Sequence, residues 1–149
     1  MKKAGRDDNM PKFPSIEWFD QVKRIVNADP MFRSLGSCDT TVGIIVGELV
    51  YAITFEGFLC ENIKKIDTDA LRDTDFYLEM STKNWKSFIE NIKSNHGADS
   101  SHTLNSLDIA LPDGLAKSHD QLNKTRFLRY HLSLQAYFDA SSKIDTVYR

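Results

Sequence analysis

A chain of 149 residues, 41% hydrophobic and 27% charged, has the make-up of one ordinary globular domain, which excludes disordered, collagen-like and coiled-coil classes. Nineteen Lys and Arg against 21 Asp and Glu leave a formal charge of −2, too little positive field to hold a phosphate backbone, so nucleic acid is excluded as a partner. The longest apolar runs fall far short of the ~20 residues a bilayer crossing needs, and the polar start predicts no secretory signal, so a cytoplasmic setting is expected.

Residues 1–12, rich in charge from Lys2 to Lys12, read as a flexible tail, and 13–149 as a single domain. Ser15 caps a predicted helix whose Trp18, Phe19, Val22, Ile25 and Val26 recur at helical spacing. Asp29-Pro30 begins a second, short helix ended by Gly36, with Met31, Phe32 and Leu35 facing inward. The period then drops to two. Val42–Val46 and Leu49–Phe55 read as strands joined at Gly47-Glu48, and Glu56-Gly57 turns into a third strand ending near Ile66.

The acidic stretch from Asp67 to Asp75 holds one helical turn around Leu71, after which Phe76, Leu78 and Met80 mark a fourth strand. Ser81 caps a helix carrying Trp85, Phe88, Ile89 and Ile92 on one face, with Gly97 at its end. Residues 103–111 fit two patterns: Leu107, Ile109 and Leu111 alternate as a strand would, and Leu104, Leu107 and Leu111 repeat as a helix would. Pro112-Asp113-Gly114 is a turn. From Asp120 a long helix directs Leu122, Phe127, Tyr130, His131, Leu134, Tyr137 and Phe138 toward one side.

Motifs for chemistry are sparse. There is no phosphate-binding glycine loop, neither GxxxxGK[ST] nor GxGxxG. His96, Asp99, His102 and His119, with Asp113 and Asp120 near them in sequence, are candidates for a metal or acid-base site, but lack the paired spacing that preorganises zinc, and solvated loop histidines are the plainer reading. Ser100, Ser101 or Cys60 could join a histidine and an aspartate as a nucleophile, yet no GxSxG elbow presents one. Asp67, Asp69, Asp73 and Asp75 lack the glycine of a calcium loop and suit turns and caps. Cys38 and Cys60 match neither a CxxC redox pair nor a zinc site and read as free, buried thiols. No metal, cofactor or catalytic residue is therefore expected. Asn123-Lys124-Thr125 has the form of a glycosylation acceptor and is set aside for want of export.

Nine Phe, five Tyr and two Trp, many at inward positions of helices flanking a sheet, supply either a filled core or the wall of an apolar cavity. Three segments resemble the sterol carrier protein 2 family: Asn27-Ala28-Asp29-Pro30-Met31-Phe32, Tyr51-Ala52-Ile53-Thr54-Phe55-Glu56-Gly57, and Asp75-Phe76-Tyr77-Leu78-Glu79-Met80-Ser81 followed by Trp85. The resemblance runs from Phe13 to Ser94 and continues only as architecture. It implies an α+β fold with a five-stranded, mostly antiparallel sheet layered by helices, and an apolar tunnel that holds a sterol, fatty acid or acyl chain without chemistry. The polar stretch from Asn95 to Ser118 is longer than the family's connection, and Val147-Tyr148-Arg149 is no peroxisomal address.

The expected function is non-catalytic binding or transfer of a hydrophobic small molecule. Trp18, Phe19, Val22, Phe32, Phe76, Trp85 and Phe88 are expected in the cavity wall, with Phe127, Leu134 and Phe138 from the last helix. Arg126, Tyr130 or His131 would meet a polar head. Two alternatives are carried beside it: an enzyme or enzyme accessory using the loop of His96, Asp99 and His102, and an interaction module that pairs as a homodimer.

Overall fold

A computed structural model describes residues 10–148. Its centre is a five-stranded sheet of β2 (Thr40–Val46), β3 (Leu49–Glu56), β4 (Leu59–Lys65), β5 (Phe76–Met80) and β6 (Ala116–Lys117), in the order β4-β3-β2-β5-β6. Neighbours run antiparallel except β2 and β5, which are parallel. The fold is thus α+β with a mixed, mostly antiparallel sheet, as expected from the sequence. β2 reads TTVGIIV and is buried at nearly every position because both its faces are covered. Val42, Ile44 and Val46 join the main core, whereas Ile45 packs with Val50 and Leu71 on the opposite face. Gly43 is needed for space: a Cβ there would stand 2.6 Å from Leu71 Cδ2 and 2.8 Å from Tyr77 Cβ. At the first hairpin Gly47 takes φ +62°, which two-residue turns of this hand require.

The helices begin where their caps predict. The Ser15 hydroxyl accepts from the Trp18 amide at 3.1 Å and opens α1 (Ile16–Asn27). Asp29 accepts from the Met31 amide at 3.0 Å and opens α2 (Pro30–Arg33). Ser81 accepts from Asn84 at 3.0 Å to start α3 (Thr82–Asn95), which ends on His96 in the left-handed region at φ 59°. α4 (Leu104–Ala110) follows the Thr103 cap, and α5 (Gln121–Asp139) follows the Asp120 cap. Short 3₁₀ turns cover Thr68–Asp73 and Ala140–Lys143. The ends meet, since β1 (Lys12–Phe13) pairs in parallel with β7 (Val147–Tyr148). No helix among the described residues is long and apolar enough to cross a membrane.

Several expectations change. Lys12, placed in the tail, belongs to β1, and Pro11 is buried beside it; residues 1–9 of that tail lie outside the described residues. Residues 103–111 take the helical option, because Thr103 caps the turn and Gln135 Oε1 accepts from the Leu104 amide at 2.7 Å. The fifth strand comes only after the Pro112–Gly114 turn, where Asp108 Oδ1 accepts from the amides of Leu115 and Ala116 at 2.7 and 2.9 Å and fixes β6 against β5. Met31 and Leu35 face outward, 72% and 45% exposed, and only Phe32 of that trio is buried. Leu122 lies on the solvent side of α5, 80% exposed, with Leu128 and Leu132 each 64% exposed.

Candidate functional site

The Asn27-Ala28-Asp29-Pro30 break turns the chain sharply out of α1, so that α2 and the segment after it stand off from the end of α5. Between them lies a cavity of about 340 Å³. Val26, Met31, Phe32 and Leu35 form one wall, Ala136 and Ala140 the other, and Asp29, Ser34, His96, Asp139, Ser142 and Lys143 complete the lining.

Several of these polar groups are already engaged. Asp29 caps α2, the Ser34 hydroxyl donates to the Met31 carbonyl at 2.6 Å, and Asp139 Oδ1 accepts from the Ala98 amide at 3.0 Å and from Gln135 Nε2 at 2.8 Å. The side chains of His96 and Lys143 make no hydrogen bond or ion pair among the described residues. The site therefore offers an apolar slot with one unengaged ammonium and one unengaged imidazole in its lining.

The residues singled out from sequence fall into three groups. Trp18, Phe19, Val22, Phe76, Trp85, Phe88, Phe127, Leu134 and Phe138 are each at most 1% exposed. Most of their rings touch one another: Trp18 meets Phe19 at 5.1 Å between centroids, Trp85 and Phe88 meet Phe138 at 5.6 and 5.5 Å, and Phe76 meets Phe127 at 5.9 Å. Their polar tips are tied as well. Trp18 Nε1 donates to Thr146 Oγ1 at 3.0 Å, Trp85 Nε1 to the Ile45 carbonyl at 2.7 Å, and the buried Tyr137 hydroxyl to the Phe19 carbonyl at 2.7 Å.

Arg126, Tyr130 and His131 form the second group, nearer the start of α5 than the cavity. Arg126 Nη1 donates to the Asp39 carbonyl at 3.4 Å, and the His131 ring lies 5.9 Å from that of Phe127. Phe32 alone is the third group, the single one of the thirteen that lines the 340 Å³ cavity. Met31, Leu35, Ala136, Ala140 and Lys143 were not expected there, whereas His96 was expected over the pocket only in the enzyme alternative. The Asp29-Pro30 signal pointed at the right segment, but alanines and a helix-terminal lysine carry no pattern of their own.

The loop after α3 is organised for structure. Asp99 Oδ1 sits 2.7 Å from His102 Nδ1, and the Ser101 hydroxyl lies 3.2 Å from that same nitrogen and 3.0 Å from that same carboxylate oxygen. A relay needs the acid on one ring nitrogen and the nucleophile on the other, so this trio is not arranged as one. Hydrogen bonds from Asn91 first, and then from His102, hold the Asp99 carboxyl well below the usual carboxylate range. The His119 ring lies tilted beside that of Tyr77, 5.7 Å between centroids, and His96 lines the cavity, so the four candidate ligands do not converge. Among the described residues no three His, Cys, Asp or Glu side chains are grouped to hold a metal. Burial pushes the free thiols of Cys38 and Cys60 up to about 12, far from the thiolate a nucleophile needs.

A second cleft, about 520 Å³, lies by the paired ends and is lined by Met10, Glu90, Lys93, Ser94, Asp145, Thr146 and Tyr148. Lys93 is spent there on the carbonyls of Ser142 and Ile144, each at 3.1 Å, and on Asp145 at 3.0 Å, so the lysine in this lining is already engaged.

No family model and no curated protein matches the chain. Its fold does match a solution structure from Thermus thermophilus, of a conserved hypothetical protein described as a possible sterol carrier protein. The TM-score is 0.59 at 14% identity, over 89% of this chain and 90% of that one. At that identity the likeness concerns the fold.

Proposed function

We propose that the chain binds and carries a hydrophobic small molecule, without converting it, in the cavity between α2 and the end of α5. The observation that carries this reading is the cavity itself: Val26, Met31, Phe32, Leu35, Ala136 and Ala140 supply apolar wall, and the lining also holds Lys143 and His96, whose side chains have no partner among the described residues and could meet a polar head. Burial of apolar surface is the driving force, and one or two polar contacts orient the cargo. The volume lies near the lower end of the ~300–1,000 Å³ typical of small-molecule sites, which favours a flexible alkyl chain over a bulky fused-ring sterol. The likeness in fold to the T. thermophilus protein, described as a possible sterol carrier protein, supports the same kind of work here.

Displacement of a fluorescent fatty acid, read beside native mass spectrometry of freshly purified protein, tests the reading. Ala136→Trp is expected to fill the slot from a partly buried helix position and abolish displacement, while a cooperative thermal melt shows that the fold is kept. Binding that survives the tryptophan, or no binding by the parent protein, overturns the assignment to this cavity.

A further inference from the structure

α5 is apolar on two opposite sides. Phe127, Tyr130, Leu134 and Tyr137 are buried in the core, whereas Leu128 and Leu132 stand 64% exposed each on the far side, and Leu122, in the first turn, is 80% exposed at the edge of that side. A helix that packs on one face ordinarily turns polar residues to water on the other. Here the outer side instead mixes leucine with cations. Lys124 and Arg129 are exposed to either side of Leu128 and Leu132, with no acidic residue from Gln121 to Phe138. No acidic side chain pairs with either cation among the described residues, although the chain as a whole has a charge of −2. One turn beyond Leu132, Ala136 enters the cavity lining beside the exposed Met31 and Leu35, so the stripe leads to the mouth of that cavity.

We propose that this outer face of α5 docks the protein onto an anionic lipid bilayer. The face is a convex helix side. Its leucines can enter the acyl boundary of a flat membrane, and Lys124 and Arg129 can reach lipid phosphates from the same depth. The unpaired cations choose the partner. A second copy pressed on the same surface would set two cations against two with no carboxylate between them, whereas an anionic surface neutralises them all. The docking does not depend on any cargo and goes beyond the carrier reading.

Sedimentation with phosphatidylcholine vesicles, with and without ~30 mol % phosphatidylglycerol, reads the affinity directly. The protein should bind the anionic vesicles and be released by salt. Leu128→Asp with Leu132→Asp, and separately Lys124→Glu with Arg129→Glu, should each weaken binding roughly tenfold or more. All four side chains are exposed, so the melts should hold. Equal binding to neutral vesicles, binding insensitive to both variants, or a parent dimer that the aspartates split in light scattering overturns the proposal. Fatty-acid displacement by the same variants should be intact. If displacement fails in every protein while vesicle binding follows the pattern above, the carrier reading falls and the docking stands.

Discussion

The size of the cavity sets the length of chain it can shelter. About 340 Å³, at ~30 Å³ for a water-sized unit and a methylene of comparable bulk, is room for roughly eleven units. Each methylene buried contributes about 0.8 kcal/mol, or roughly a fourfold gain in affinity. A series of straight-chain carboxylates measured by displacement or calorimetry should therefore tighten about fourfold per carbon up to about ten to twelve carbons, then level off as further methylenes remain in water. Ala136→Trp should move that break to shorter chains, because the indole occupies the space the tail would take. An affinity that climbs steadily past about sixteen carbons would require a longer tunnel than this slot provides, and one indifferent to length would show that no chain is buried; either refutes the reasoning.

Three further outcomes follow from the packing. Gly43→Ala should destabilise the fold by about 1–3 kcal/mol in urea titration, since its methyl would press on Tyr77 Cβ of the neighbouring strand as well as on Leu71. Tyr137→Phe should lose about 1 kcal/mol, the net worth of one buried hydrogen bond from α5 to α1, with the ring packing kept. The buried thiols should resist alkylation until the chain unfolds. Their ordinary value is 9.0 and burial raises it to about 12, so the stability of the neutral thiols is whole below pH 9 and is lost as pH rises toward 12; Cys38→Ala with Cys60→Ala should flatten that alkaline decline.

Local chemistry was legible wherever one residue decides a backbone. Ser15, Asp29-Pro30 and Ser81 announce the starts of α1, α2 and α3, and Gly47 announces the first hairpin. The period-two runs of β2 and β3 follow from β-branched residues on a sheet covered on both sides. β6 was not legible because a two-residue strand has no period, and its place is set by Asp108 on another element. Helical spacing picked out Phe127, Tyr130, Leu134, Tyr137 and Phe138 as the buried side of α5, but it set the exposed Leu122 with them, because a single first turn is too short a stretch to mark a face. Met31 and Leu35 misled for the same reason: one turn of helix has no room for both an inner and an outer face. The aromatic count foretold a large core but not where it ends, and the cavity is walled by residues around helix ends that composition cannot flag.

The pairing of Lys12-Phe13 with Val147-Tyr148 has a practical bearing on how the molecule comes apart. Phe13 lies against both Trp18 and Tyr148, and Trp18 in turn holds Thr146. Clipping the last few residues would thus strip cover from the first helix rather than merely shorten the last. This clasp spans nearly the entire chain, so in refolding it should close late, and proteases should find both extremities together.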